Sequence, residues 1–87
     1  MFRILNSDEP DSTTITIDGR LTSEYIGEVE ASVRRAMART KQIRLFLRNI
    51  VHIDDPGRSL LARLAAQGVE LSASGIYSSY VVGNIGK

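Results

Sequence analysis

The sequence contains no cysteine and no tryptophan, and only three tyrosines and two phenylalanines among its 87 residues. Without cysteine there is no disulfide framework, no thiolate metal site and no cysteine nucleophile. The longest apolar runs are a few residues long, so no segment is predicted to span a membrane. The first residues also lack the apolar stretch of a signal peptide. These absences predict a cytoplasmic protein without membrane insertion.

The composition that remains is typical of one folded domain. Hydrophobic residues make up 43% of the chain and charged residues 24%, which excludes wholesale disorder. A chain of this length has room for one packed core. We therefore expect a single domain over residues 1–87.

Charge is unevenly distributed along the chain although the net charge is only +1. Residues 1–30 carry a balance of −5 and residues 31–87 a balance of +6. Residues 34–48 hold six bases and no acid: Arg34, Arg35, Arg39, Lys41, Arg44 and Arg48. The simpler interpretation is a solvated basic face folded beside the acidic half, and the alternative is a surface for a polyanion or an acidic partner. Because Phe46 is expected in the core under a helix, no nucleic-acid partner is predicted.

Hydrophobic periodicity predicts strands and helices in the order β-β-α-β-α-β, followed by a tail. The predicted strands are Phe2–Leu5, Thr14–Asp18, Ile43–Arg48 and Val69–Leu71, with a loop over residues 6–12. The predicted helices lie near residues 23–39 and 57–67. Strands joined through helices imply parallel crossovers. The fold class is thus α/β, with a mixed sheet of about four strands and helices packed against it.

Helix ends carry recognisable signals. Thr22 or Ser23 is predicted to cap the first helix, whose apolar stripe is Ile26, Val29, Val33, Ala36 and Met37. Asp55 is predicted as the N-cap of the second helix, with Pro56 at its first position and Gly68 ending it in a left-handed conformation. Its buried stripe is Leu60, Leu61, Leu64 and Ala65.

Residues able to perform chemistry are few. His52 is the only histidine, and in an apolar stretch it is expected to be structural. Asp54 and Asp55 are adjacent carboxylates, and no histidine or glutamate nearby is expected to complete a metal set with them. The glycines match neither the phosphate-loop nor the dinucleotide spacing. We predict no catalytic residue, metal or cofactor, and hence no enzyme.

Two segments resemble the signature of STAS domains, the module of sulfate transporters and anti-sigma factor antagonists. The first runs from Leu45 to Leu61, where a strand of the form L-x-L leads into Ile53-Asp54-Asp55-Pro56-Gly57 and a helix, similar to the family's I-D-S-S-G. The second is Ile17–Thr22, similar to the strand ending in G-x-L-D. The resemblance covers residues 2–72. It implies a STAS-like fold without the family's usual last strand and helix, leaving 73–87 as a tail.

The sequence departs from the family pattern where the family is regulated. In phosphorylated members, a serine or threonine follows the motif aspartate, and here that position is Asp55, followed by Pro56 instead of serine. Thr22 replaces the acidic residue after G-x-L, and Phe46 occupies a usually polar position. The resemblance therefore implies a protein-interaction module in bacterial signalling that does not depend on phosphorylation. The predicted partner-binding residues are Asp54, Asp55, Pro56, Gly57, Arg58 and Ser59, with Ser59 as the alternative phosphorylation site.

The resemblance leaves partners and alternatives open. The expected partner is an anti-sigma factor or a kinase-like regulator. The alternatives are a small-ligand or nucleotide-sensing STAS domain and a subunit of a transporter-associated complex. A homodimer built through residues 69–85 is also predicted, because the tail carries apolar residues that need cover: Ile76, Tyr77, Tyr80, Val81, Val82 and Ile85.

Overall fold

The computed structural model describes residues 2–40, 42–74, 80 and 83. Its elements follow the predicted order: strands β1 (Phe2–Asp8) and β2 (Ser12–Leu21), a 3₁₀ turn (Ser23–Tyr25), helix α1 (Ile26–Met37), strand β3 (Gln42–Ile53), helix α2 (Asp55–Ala66) and strand β4 (Glu70–Ser74). The strands form one sheet in the order β1-β2-β3-β4. The prediction of an α/β fold with a four-stranded mixed sheet and two packed helices is confirmed.

Strand direction follows from the connections. β1 and β2 form an antiparallel hairpin, whereas β2, β3 and β4 run parallel. A helix connects each parallel pair, as a crossover requires. The core lies between one face of the sheet and both helices.

Alternate strand residues supply the sheet side of this core, and the predicted helix stripes supply the rest. The buried side chains include Ile15, Ile17, Leu45, Leu47, Val29, Val33, Ala36, Leu60, Leu61 and Leu64. Ile26 and Ala65 are half-buried, as residues at the margin of a stripe are. Met37, predicted in the buried stripe, is instead 39% exposed because α1 ends there.

Three strands extend further than predicted, and pairing explains the difference. The proposed loop over residues 6–12 is mostly strand, since β1 and β2 pair from Phe2↔Gly19 to Asp8↔Thr13. Only a tight turn remains, closed by the Glu9 N–H donating to the Ser12 carbonyl at 2.8 Å. β2 continues past Asp18 to Leu21, and β3 continues past Arg48 to Ile53. In β1 and β2, backbone pairing thus overrides the low strand propensity of polar residues such as Asn6, Asp8 and Ser12.

Two successive register shifts interrupt the parallel pair formed by β2 and β3. Asp18 pairs with Arg48, Gly19 with Ile50 and Arg20 with His52, so that Asn49 and Val51 are both skipped. Asn49 is left over and adopts a left-handed backbone with φ of 51°, while Gly19 has φ of 98°. This is the geometry of a β-bulge. It changes the burial period of β3, so that Ile50 and Ile53 follow Leu47 into the core.

Phe46 was predicted in the core under a helix, and this is wrong. It lies opposite Thr16, on the face of the sheet turned away from the helices, and is half-buried there. Because strand side chains alternate between faces, burial of Leu45 and Leu47 places Phe46 on the other side. Arg44 and Arg48 share that face with it.

The ends of the helices match the prediction only in part. Gly68 ends α2 with φ of 95°, its N–H donates to the Ala65 carbonyl at 3.1 Å, and the Val69 N–H donates to the Leu64 carbonyl at 3.0 Å. The left-handed end at Gly68 is confirmed, and its hydrogen bonds are those of a Schellman motif. Neither Thr22 nor Ser23 caps α1 through its side chain, because a 3₁₀ turn precedes the helix. The Thr22 hydroxyl is buried without a hydrogen-bond partner in the described structure.

The tail is described only at a few positions. Residues 73 and 74 belong to β4, which starts later and ends later than the predicted strand Val69–Leu71. The predictions for Ile76, Tyr77, Val81, Val82 and Ile85 lie outside the described residues. Within the described part of the chain, no helix is long and apolar enough to cross a membrane.

Candidate functional site

The N-terminal turn of α2 is held in place by Asp54. This residue is the N-cap, with an extended backbone, and its Oδ1 accepts a hydrogen bond from the Gly57 N–H at 2.9 Å. Its Oδ2 accepts from the Ser23 N–H at 2.8 Å. The prediction of Asp55 as the cap is therefore wrong by one residue. Asp54 ties the segment after β2 to the start of α2.

Gly57 allows the start of α2 to lie directly against the end of β2. It is buried, and a Cβ at this position would overlap the Leu21 carbonyl oxygen. That Leu21 carbonyl also accepts a hydrogen bond from the Asp54 N–H at 3.3 Å. Gly57 thus serves close backbone packing and presents no side chain to a partner.

The other four predicted site residues form an exposed surface on the same turn. Asp55, Pro56, Arg58 and Ser59 are all exposed. Asp55 is the first residue of α2, where the helix dipole favours a carboxylate. In the described structure Asp55 makes no hydrogen bond or ion pair through its side chain. We call Asp55, Arg58 and Ser59 the α2 N-terminal surface.

Val51 and His52 lie beside this turn at the end of β3. Val51 is 71% exposed, and His52 is exposed as well. The sequence pattern grouped Val51 with its apolar neighbours, and only the register shifts that skip Asn49 and Val51 show that it faces outward. No three metal-ligating side chains gather anywhere in the described ranges.

Among the described residues, three arginines of the basic half form ion pairs with carboxylates of the acidic half. Arg39 contacts Asp8 at 3.2 Å, Arg48 contacts Asp18 at 2.6 Å, and Arg63 contacts Glu30 at 3.7 Å. Hydrogen bonds from Arg48 lower the pKa of the Asp18 carboxyl, an effect that partial desolvation opposes and that Arg3 adds to. This pairing supports the simpler interpretation of the charge pattern, a solvated face folded against the acidic half.

Fold and site together define a small α/β domain with both helices on one face of a mixed sheet and one exposed, charged helix start. No protein-family model matches the chain, and no curated protein matches it. Nine chains of solved structures do. The structure of Mglu in its native form matches with a TM-score of 0.53 and 22% identity over 79% of this chain and 22% of that chain.

Two further structures of Mglu are similar to this chain. The native form in 4.3 M NaCl gives a TM-score of 0.48 at 19% identity, over 87% of this chain and 27% of that one. The glutamate form gives 0.46 at 19% identity, over 80% and 26%. The chain spans about a quarter of the length of these proteins. At such identities the first match shows the fold alone, as part of a longer chain.

Proposed function

We propose that this protein is a non-enzymatic, STAS-type protein-interaction module whose partner recognises the α2 N-terminal surface. The observation that carries the proposal is the division of roles between two adjacent carboxylates. Asp54 caps the helix by accepting from the Gly57 N–H, and it also accepts from the Ser23 N–H. Asp55 is therefore not needed for capping and presents its charge to solvent.

The position of the Asp55 charge supports constitutive binding, in which the negative charge at the helix start is always present. In the family that the sequence resembles, phosphorylation adds about −2 charge at the helix start and changes the surface offered to a partner. Asp55 supplies a permanent negative charge at the corresponding position and does not form a stable phosphate ester as serine does. The proposed module binds without phosphorylation.

The neighbouring side chains give this surface a mixed character. Arg58 and Ser59 lie three and four residues after Asp55, so that all three share one side of the helix. A complementary partner presents a cation opposite Asp55 and an acceptor opposite Arg58. By the family resemblance, that partner is an anti-sigma factor or a kinase-like regulator in the bacterial cytoplasm.

Nucleotide sensing at the same helix start is less favoured by this geometry. The Gly57 N–H, which would bind an anion, already donates to Asp54. A phosphate group there would also lie close to two carboxylates. We expect no change in the thermal midpoint when nucleotides are added.

Charge removal at Asp55 tests the proposal. The partner is captured from the host and identified, and its affinity for Asp55→Asn is measured by calorimetry. We expect a loss of about tenfold, which corresponds to about 1.4 kcal/mol. Glu28→Gln is the matched control, since Glu28 is an exposed acid in the first turn of the other helix. Equal affinity of Asp55→Asn and the parent protein, or binding that requires phosphorylated Ser59, would overturn the proposal.

A further inference from the structure

A groove runs between the two helices toward their C-terminal ends. It consists of a cavity of about 130 Å³ between α1 and α2 and a second cavity of about 180 Å³ beside it, and Met37 and Gln67 line both. We call this the interhelical groove. α2 has 12 residues, so its C-terminal end lies about 18 Å from Asp55. The groove shares no residue with the α2 N-terminal surface, and its lining on α2 runs from Leu60 to Gln67.

The floor of the interhelical groove is apolar and adaptable. Val33, Leu60 and Leu64 line it from the two helices. Met37 adds an exposed thioether, a side chain that adjusts its shape to an incoming group. Since a cavity of about 150 Å³ accepts a benzene-sized group, this floor has room for one apolar side chain.

The rim of the groove is positively charged. Arg34 and Arg63 line it from opposite helices, and Glu30 is the acid among the residues that line this cavity. The Arg63–Glu30 ion pair is weak, because its N–O distance is as long as 3.7 Å and both side chains are partly exposed. Arg34 makes no ion pair in the described structure. The excess positive charge over an apolar floor complements an acidic segment that carries an apolar side chain.

Residues 75–87, which follow β4, do not provide such a segment. They contain no aspartate or glutamate and end in a lysine. Charge complementarity therefore favours another protein. A nucleic acid would also contact the arginines, but it would not use the apolar floor between them.

We propose that the interhelical groove binds an acidic peptide segment of a partner protein, with one apolar residue anchored against Met37 and its acids contacting Arg34 and Arg63. Recognition of this kind combines an apolar anchor with charge pairs at the rim. The groove is a second interaction surface, independent of the one at Asp55.

A synthetic peptide with one leucine between two runs of three glutamates is the probe. Its binding to the full chain is measured by fluorescence anisotropy, and its position by NMR shifts of Met37 and Gln67. Arg34→Glu is expected to weaken binding at least tenfold. Arg35→Glu, the same charge change at the next exposed residue of α1, is expected to weaken it less than threefold. Circular dichroism of both variants confirms that they fold alike.

Two further peptides separate the anchor from the charge. Replacing the leucine with serine is expected to reduce affinity about tenfold, and replacing the glutamates with lysines is expected to abolish binding. The proposal is overturned if Arg34→Glu and Arg35→Glu weaken binding equally or if the lysine peptide binds as well. It is also overturned if no acidic peptide binds at millimolar concentration, or if the groove residues instead respond to an oligonucleotide or to a second copy of the chain.

Discussion

Adjacent residues at the start of α2 have opposite environments. Asp54 is half-buried and accepts two backbone hydrogen bonds, one of them from a residue 31 positions earlier in the chain. Asp55 is exposed at the first position of α2, the positive end of the helix dipole. A carboxylate that caps a helix and bridges two segments is fixed in orientation, whereas its neighbour remains available to a partner. Under the proposed function, this difference would allow one short motif to serve both folding and binding.

Gly57 is the residue of this turn that tolerates substitution least. We expect Gly57→Ala to destabilise the protein by about 1–3 kcal/mol, because the new methyl group would push α2 away from the Leu21 carbonyl. Urea unfolding followed by circular dichroism measures the free energy.

Gly27 provides the matched control for that change. It lies in the first turn of α1, and a Cβ there would meet nothing within 4 Å. Since alanine is the better helix former, we expect Gly27→Ala to be neutral or to stabilise the protein by up to about 1 kcal/mol. Equal effects of the two substitutions would show that α2 does not lie against β2 as described.

The sequence predicted this turn well, but not the capping residue. Asp54 and Asp55 both precede Pro56 and both suit an N-cap, so local pattern did not separate them. The deciding contact is the hydrogen bond from Ser23, which depends on how β2 and α2 are placed in three dimensions. Long-range contacts of this kind leave no periodic signal in the chain.

Among the elements, β2 and β3 are the two central strands of the sheet, and each pairs with a strand on both sides. Just before the bulge, Asp18 and Arg48 face each other on the side away from the helices, with Nε–Oδ1 and Nη2–Oδ2 distances of 3.1 and 2.6 Å. This two-point ion pair fixes the register at the position where the register then shifts. Bidentate geometry makes it more specific than the other ion pairs of the surface.

The Asp18–Arg48 pair predicts a pH dependence of stability. Because hydrogen bonds from Arg48 lower the pKa of Asp18 in the folded state, its contribution is fully present above the ordinary aspartate value of about 3.9. The contribution is lost as the pH falls through the lower folded value. We expect Asp18→Asn to reduce the free energy of unfolding at neutral pH, and this deficit to shrink at about pH 2.

Urea unfolding at both pH values tests this, with Asp11→Asn as the control. Asp11 is an exposed aspartate without an ion pair in the described structure. A deficit for Asp18→Asn that stayed the same at both pH values would mean that charge pairing with Arg48 does not contribute.

Element order and the buried face of each helix were predictable, and strand boundaries were not. Alternation in Ile43–Leu47 identified the core face of β3, and crossover rules then fixed the parallel pairing. Phe46 was misplaced because its hydrophobicity outweighed its position in that same alternation. The polar ends of β1 and β2 form strand because they pair with each other. Residue propensities carry no information about this pairing.

At the scale of the whole molecule, the sheet has one covered face and two edges. Both helices cover one side, and β1 and β4 are the outer strands of the described sheet. The α2 N-terminal surface lies at one end of the helix layer and the interhelical groove extends to the other. Partners at both surfaces would therefore bind away from β1 and β4.

An accessible edge strand predicts self-association, and we expect a homodimer formed through residues 69–85, with β4 at its centre. Ser72 lies in β4 on the face away from the helices, opposite Phe46. A lysine there opposes edge pairing, so Ser72→Lys is expected to shift the dimer toward monomer. Ser7→Lys is the control, since Ser7 lies opposite Thr14 on β1, the other edge.

Light scattering measures the mass of the parent protein and of each variant. It is done at tens of micromolar (order of magnitude), because the dissociation constants of obligate dimers lie well below that concentration. A parent protein that is monomeric there would contradict the prediction, and a mass lowered only by Ser7→Lys would place the interface on β1 instead.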